Sequence, residues 1–247
     1  MFARSRGTSL ALCGLLAASL AFADTALPPM PLMQQYVFGV LRKGPKWTAD
    51  KSPALDSLQA GHMAHLGRMW KEGWLVAAGP VTARNGWRGL LIFRADSASQ
   101  VRALSEQDPA VRAGRLAVDL WPWFAPQGIG QGYTARTARL GPGSDSMVTR
   151  WVTLLRTSPK PSQLKGAALD SMRRGHLAHI LGLLASGHAR AAGPLTGAGD
   201  IEGLTVFVTD SLDAWTRANA DPAARSGDLT IELFPWWCAY GVLPGEE

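Results

Sequence analysis

Gly61-His62-Met63-Ala64-His65-Leu66 recurs as Gly175-His176-Leu177-Ala178-His179-Ile180, from position 62 to position 176. Around it the chain repeats itself in order. Ala54-Leu55-Asp56-Ser57 returns as Ala168-Leu169-Asp170-Ser171, and Ala78-Gly79-Pro80 as Ala192-Gly193-Pro194. Asp108-Pro109-Ala110 returns as Asp221-Pro222-Ala223, and Leu120-Trp121-Pro122-Trp123 as Leu233-Phe234-Pro235-Trp236. One residue is lost between the histidine segment and the Asp-Pro. Solenoid units are much shorter than this spacing, so the repeat is a duplicated domain.

Within the first copy the hydrophobic pattern changes period. Gln35 to Arg42 reads as a strand, and Ala54 to Glu72 as a helix, with Leu55, Leu58, His62, His65, Leu66 and Met69 three and four apart. Gly73 is placed to stop that helix. Trp74 to Ala78 and Trp87 to Phe93 read as strands, with Asn85-Gly86 as a turn signal between them. Ser97-Ala98-Ser99-Gln100 is a capping box for a second helix to about Gln107, which Asp108-Pro109 should end. Leu116 to Trp123 closes the unit as a strand.

The order β-α-β-β-α-β is the ferredoxin-like pattern. The second copy repeats it: strands Arg150–Arg156, His188–Ala192, Glu202–Val208 and Asp228–Phe234, helices Ala167–Ala185 and Ser211–Ala220. The expected fold is therefore α+β: two βαββαβ repeats, 35–124 and 149–237, packed face to face as an intrachain dimeric barrel. A segment without periodicity, 125–147, should link them.

Residues 1–23 read as a signal peptide, with Arg4 and Arg6, an apolar run from Thr8 to Ala21, and cleavage after Ala23 in Ala21-Phe22-Ala23. Leu12 before Cys13 argues against lipid attachment. No later segment is apolar for long enough to span a membrane. The mature chain is expected to be periplasmic or secreted, and monomeric as a pseudo-dimer or further assembled. Its lone cysteine, Cys238, should be buried behind Trp236 and Trp237. Formal charge is +6, and +4 without the leader. The basic residues are scattered, which argues for a solvated surface and against nucleic acid.

His62 and His176 are the first candidates for chemistry, with His65 and His179 on the same helical face. That face is apolar, so each ring needs a partner or must stay neutral. Asp108 and Asp221 are the second candidates. Each has a plain alternative role: a core histidine bonded to backbone, a turn-forming aspartate. A carboxylate on an imidazole would fix its tautomer and raise its basicity. The His-x-x-His pairs could also supply metal ligands, but no third ligand follows at a telling spacing. No cofactor and no metal are expected. There is no serine-nucleophile motif, phosphate-cradling glycine loop or CxxC.

These residues together resemble the YCII-related domains of the dimeric α/β-barrel superfamily. The match runs through His62 followed by Ala64 and Leu66, then Glu72-Gly73, Ala78-Gly79-Pro80, Asp108-Pro109 and Trp121-Pro122-Trp123, and in the second copy through His176-Leu177-Ala178, Ser186-Gly187, Ala192-Gly193-Pro194, Asp221-Pro222 and Phe234-Pro235-Trp236. The resemblance implies a His-Asp dyad, here His62 with Asp108 and His176 with Asp221, and a tandem chain that looks like a fused homodimer. It implies proton abstraction and elimination on small aromatics or lactones. A non-catalytic exported protein that binds a small ligand, or serves as a scaffold, is the other reading.

Overall fold

The computed structural model describes residues 26–82, 86–141, 143 and 146–246. The leader expected at 1–23 lies outside them, as does Asn85 of the expected turn. The first repeat contains β1 (Met33–Lys43), α1 (Pro53–Lys71), β2 (Leu75–Pro80), β3 (Trp87–Phe93), α2 (Ala98–Ser105), α3 (Pro109–Arg112) and β4 (Leu116–Pro126). After α4 (Gln131–Leu140), the second contains β5 (Met147–Thr157), α5 (Gly166–Ala185), β6 (Ala189–Pro194), β7 (Ile201–Phe207), α6 (Ser211–Asn219), α7 (Pro222–Arg225) and β8 (Leu229–Ala239).

Local chemistry sets the boundaries. The Ser52 hydroxyl caps α1 by accepting from Leu55 N–H, and Pro53 opens the helix where its missing N–H costs nothing. Gly73 and Gly187 follow the long helices with φ of 81° and 74°, the left-handed position that glycine takes without strain. Ser97 caps α2, but Gln100 returns its side chain to the Asp96 N–H rather than to Ser97.

Three features depart from the expected elements. Asp108 and Asp221 do not merely end a helix. Each is the cap of a new short one, α3 or α7, with proline at its first position. The segment 125–147, expected to lack periodicity, contains α4, whose polar sequence gives it no fully buried residue. The last strand of each repeat runs on past Trp123 and Phe234, to Pro126 and Ala239.

Each repeat forms one antiparallel sheet, ordered β2-β3-β1-β4 and β6-β7-β5-β8. Strand side chains alternate between faces. In β1, Val37 and Leu41 face the helices and pack with Met69, Leu91 and Phe93. Tyr36, Phe38 and Val40 face the other way, into a core shared with Val152, Leu154, Leu204, Val206 and Phe234 of the second sheet. The two sheets thus bury each other's inner face.

They also join at their edges. β2 meets β8 through a bridge between Val81 and Trp236, and β4 meets β6 through one between Trp123 and Leu195. At each seam a buried indole crosses over: Trp236 Nε1 donates to the Gly79 carbonyl (3.2 Å) and Trp123 Nε1 to the Gly193 carbonyl (3.1 Å). This explains the glycine of Ala-Gly-Pro. A β-carbon on Gly79 would overlap the Trp237 carbonyl, and one on Gly193 the Phe124 carbonyl. Cys238 is fully buried, and burial pushes its thiol up to about 12. Of the two tryptophans expected to cover it, Trp236 is buried but Trp237 is 52% exposed. Among the described residues no helix is long and apolar enough to cross a membrane.

Candidate active site

Each long helix is held against its short neighbour by two interlocked contacts. Gly61 of α1 lies against the ring of Pro109, so that a β-carbon there would stand 3.2 Å from it; Gly175 and Pro222 repeat the contact at 3.1 Å. With the backbones this close, the next residue on the helix meets the residue before the proline. His62 Nδ1 lies 2.6 Å from Asp108 Oδ2, and His176 Nδ1 lies 2.7 Å from Asp221 Oδ2. The recurring Gly-His and Asp-Pro motifs are two halves of one joint.

The aspartate cannot swing away. Asp108 Oδ1 accepts from Ala110 N–H at 2.8 Å, and Asp221 Oδ1 from Ala223 N–H at 2.8 Å. One oxygen caps the short helix and the other holds the ring, so the turn-forming role and the dyad coexist in one side chain. An ionised carboxylate only accepts, so the Nδ1–H of each histidine donates. That fixes the tautomer and leaves Nε2 with the lone pair, the form a general base needs.

The second histidine of each pair is different. Arg68 donates to His65 Nδ1 at 2.7 Å, so the His65 proton sits on Nε2. That atom is buried and makes no hydrogen bond of good geometry. His179 Nε2 is buried in the same way. Burial holds both rings below the usual imidazole range, against the opposing pull of Asp108 on His65 and of Asp221 on His179. Neither His-x-x-His pair converges on a third ligand: among the described residues no cluster of three His, Cys, Asp or Glu side chains is placed to hold a metal.

The two dyads face different surroundings. The His62 side chain is 7% exposed and that of His176 33%. His176 lines a cavity of about 350 Å³ with Leu177, Ile180, Leu181 and Leu184 of α5 and with Leu155, Leu204 and Leu229 of the sheet. Its far wall comes from the other repeat: Met30 and Met33 from the lead-in and start of β1, and Phe124 from β4. Apart from His176, Glu202 and Thr205 are its polar side chains. The first repeat has a cavity of about 300 Å³ in the corresponding place, but His62 does not line it. There Trp70 replaces Leu184, and Tyr133 of α4 packs edge-on against it at 5.6 Å between centroids.

Met30, Met33, Phe124 and Glu202 were not among the residues singled out from sequence. The first three belong to the opposite repeat, which no motif within one copy could reveal. Glu202 stands where the first copy has Arg88, a difference that a search for shared letters passes over.

Fold and joint together define an α+β protein of two ferredoxin-like repeats on one chain, closed sheet against sheet, each repeat with a His-Asp joint. The sequence profile of the YCII-related domain family matches residues 42–123, within the first repeat. Among solved structures, the chain is similar to a chlorite dismutase variant from Candidatus Nitrospira defluvii, with 13% identity and a TM-score of 0.50 over 82% of this chain and 90% of that one. It is similar to a heme-binding protein from Thermus thermophilus, with 14% identity and a TM-score of 0.52 over 86% and 94%. At these identities the likeness is one of fold. No curated protein matches the chain in sequence.

Proposed function

We propose that the second repeat is a general acid–base site for a small, uncharged, largely apolar molecule, bound beside His176. One observation carries this reading: the His176 ring is partly exposed and lines an apolar cavity, while its Nδ1 is held by the anchored carboxylate of Asp221. His176 Nε2 takes a proton from an activated C–H or O–H. Asp221 offsets the charge of the resulting imidazolium and keeps the ring aimed. The apolar walls exclude water and strengthen that pairing. Return of the proton to another atom of the bound molecule completes an isomerisation or elimination. His62, sealed in the first repeat, serves the fold. The acid–base chemistry implied by the YCII-related resemblance agrees with this assignment.

Heme, named for one structural neighbour, fits this cavity poorly. A tetrapyrrole plate is larger than about 350 Å³, and its carboxylates need cations. Among the lining residues there is no Lys or Arg, and Glu202 adds a carboxylate.

The test is exchange in deuterium oxide, followed by NMR, for a panel of neutral ketones, esters and lactones. A compound exchanged or converted by the unaltered protein should be handled equally by His62→Gln. With His176→Gln its rate should fall about 10²–10⁴-fold. Full activity in His176→Gln would overturn the assignment. A compound that saturates the His176 ring signals without exchanging would favour the binding-protein reading, for which the nearly all-apolar lining speaks. The leader composition supports export, and mass spectrometry of the mature protein should then find Asp24 at its N-terminus.

A further inference from the structure

At one corner of the first repeat, where β1 ends and β4 begins, a single indole gathers three cations. Lys43 Nζ lies 5.3 Å from the Trp47 ring centroid, and the guanidinium carbons of Arg88 and Arg115 lie 5.2 Å and 4.5 Å from it. Lys46 belongs to the same loop. The loop is pinned by backbone: Gly44 N–H donates to the Arg115 carbonyl (2.8 Å), Lys46 N–H to Gly114 (2.9 Å) and Trp47 N–H to Gly44 (3.1 Å). Gly44 leaves no room for a side chain, since a β-carbon there would collide with the Gly114 and Arg115 backbone.

Among the described residues no carboxylate pairs with Lys43, Lys46, Arg88 or Arg115. The neighbouring Asp119 is taken by Arg42 at 2.6 Å. Cations around one ring stand within about a Debye length, roughly 8–10 Å, of one another and repel. The ring face offsets part of that cost; an anion would offset the rest.

The duplicated half shows that the fold does not require this cluster. The strand ladders make Lys43 and Thr157 equivalent, facing Leu116 and Leu229. By the same register Arg88 becomes Glu202, Arg115 becomes Asp228, and Trp47 becomes Pro161. There Thr157 donates to Glu202 at 2.5 Å, and Ser162 donates to Asp228 at 2.7 Å. The underlying ion pair is kept in both halves, as Arg42 with Asp119 and Arg156 with Glu232. Only the exposed corner has changed sign.

We infer that the Trp47 corner is a binding site for a polyvalent phosphate-bearing anion. Two guanidinium groups offer forked donors to tetrahedral phosphate oxygens, and Lys43 and Lys46 add point charges. Such a group can come from a soluble phosphate or from a phospholipid headgroup.

The experiment uses the full chain at low salt with two probes, inorganic tripolyphosphate and phosphatidylglycerol vesicles against phosphatidylcholine vesicles. At least one probe should bind, more weakly as salt is raised. Lys43→Gln with Arg115→Gln should lose about tenfold or more in affinity. Arg173→Gln with Arg174→Gln, the same charge change on exposed α5, should lose none. Binding of tripolyphosphate alone identifies a soluble ligand; binding of anionic vesicles alone identifies a membrane surface. If the Arg115 change lowers the melting temperature, Lys43→Gln with Arg88→Gln replaces it. The inference is overturned if neither probe binds, if the corner variants bind as the unaltered protein does, or if both double variants weaken equally.

Discussion

The two His-Asp joints have the same parts and different outlooks. In both, glycine meets proline, imidazole meets carboxylate, and the carboxylate caps a four-residue helix. His62 is closed in, whereas His176 opens on a cavity whose far wall belongs to the other repeat. The seams have not diverged in this way. Gly79 receives the Trp236 indole as Gly193 receives that of Trp123, with the same tolerance for no side chain. Duplication has kept what closes the barrel and let what lies beside the histidines change.

The largest effects should come where the halves agree. Gly79→Val and Gly193→Val each set a side chain against strand backbone that cannot move aside. Each should lower stability by about 3 kcal/mol or more, and to a similar extent, in denaturant titrations. Clearly unequal losses would mean that one seam alone closes the barrel.

Next come the joints, where the halves should differ. Asp108→Ala removes a cap, about 1 kcal/mol, and leaves a buried imidazole N–H without an acceptor, about 1–2 kcal/mol more. Asp221→Ala loses the same cap, but His176 can turn to water in its cavity. We expect roughly 2–3 kcal/mol for the first and about 1–2 kcal/mol for the second, read from denaturation midpoints. Equal values would break the contrast between a sealed joint and an open one.

The smallest effect concerns His65 and His179, whose rings burial holds below the usual range. The unfolded ring takes up its proton near pH 6.5, and the folded ring only at lower pH. Their contribution is therefore complete above about pH 6.5 and is lost as pH falls from there towards the folded value. Melting temperatures should drop between about pH 7 and pH 5. His65→Gln and His179→Gln should each flatten that drop; an unchanged slope would show that other groups carry it.

Much of this was legible in the letters because the chain states its motifs twice. Recurrence of Gly-His and Asp-Pro at a nearly constant offset marked the candidate histidines and aspartates, their pairing came from the YCII-related resemblance, and the apolar run Tyr36-Val37-Phe38 with Val40-Leu41 marked the first strand. What escaped had physical reasons. Helix α4 is polar overall and buries no residue fully, so Gln131 to Leu140 offers few apolar letters from which to read a period. The strand ends beyond Trp123 and Phe234 are stabilised by pairing with the start of β1 and β5, a long-range effect. The cavities of the two halves differ in Trp70 and Tyr133 against Leu184 and Met30, none of which lies in a shared motif.

Because the run from β4 through α4 to β5 is continuous chain, the two sheets can never drift apart on dilution. Barrel closure is a unimolecular event, indifferent to how much protein is present. A pair of separate identical subunits must carry every substitution in duplicate, whereas here Trp70 could enter one half while its counterpart in the other stayed Leu184.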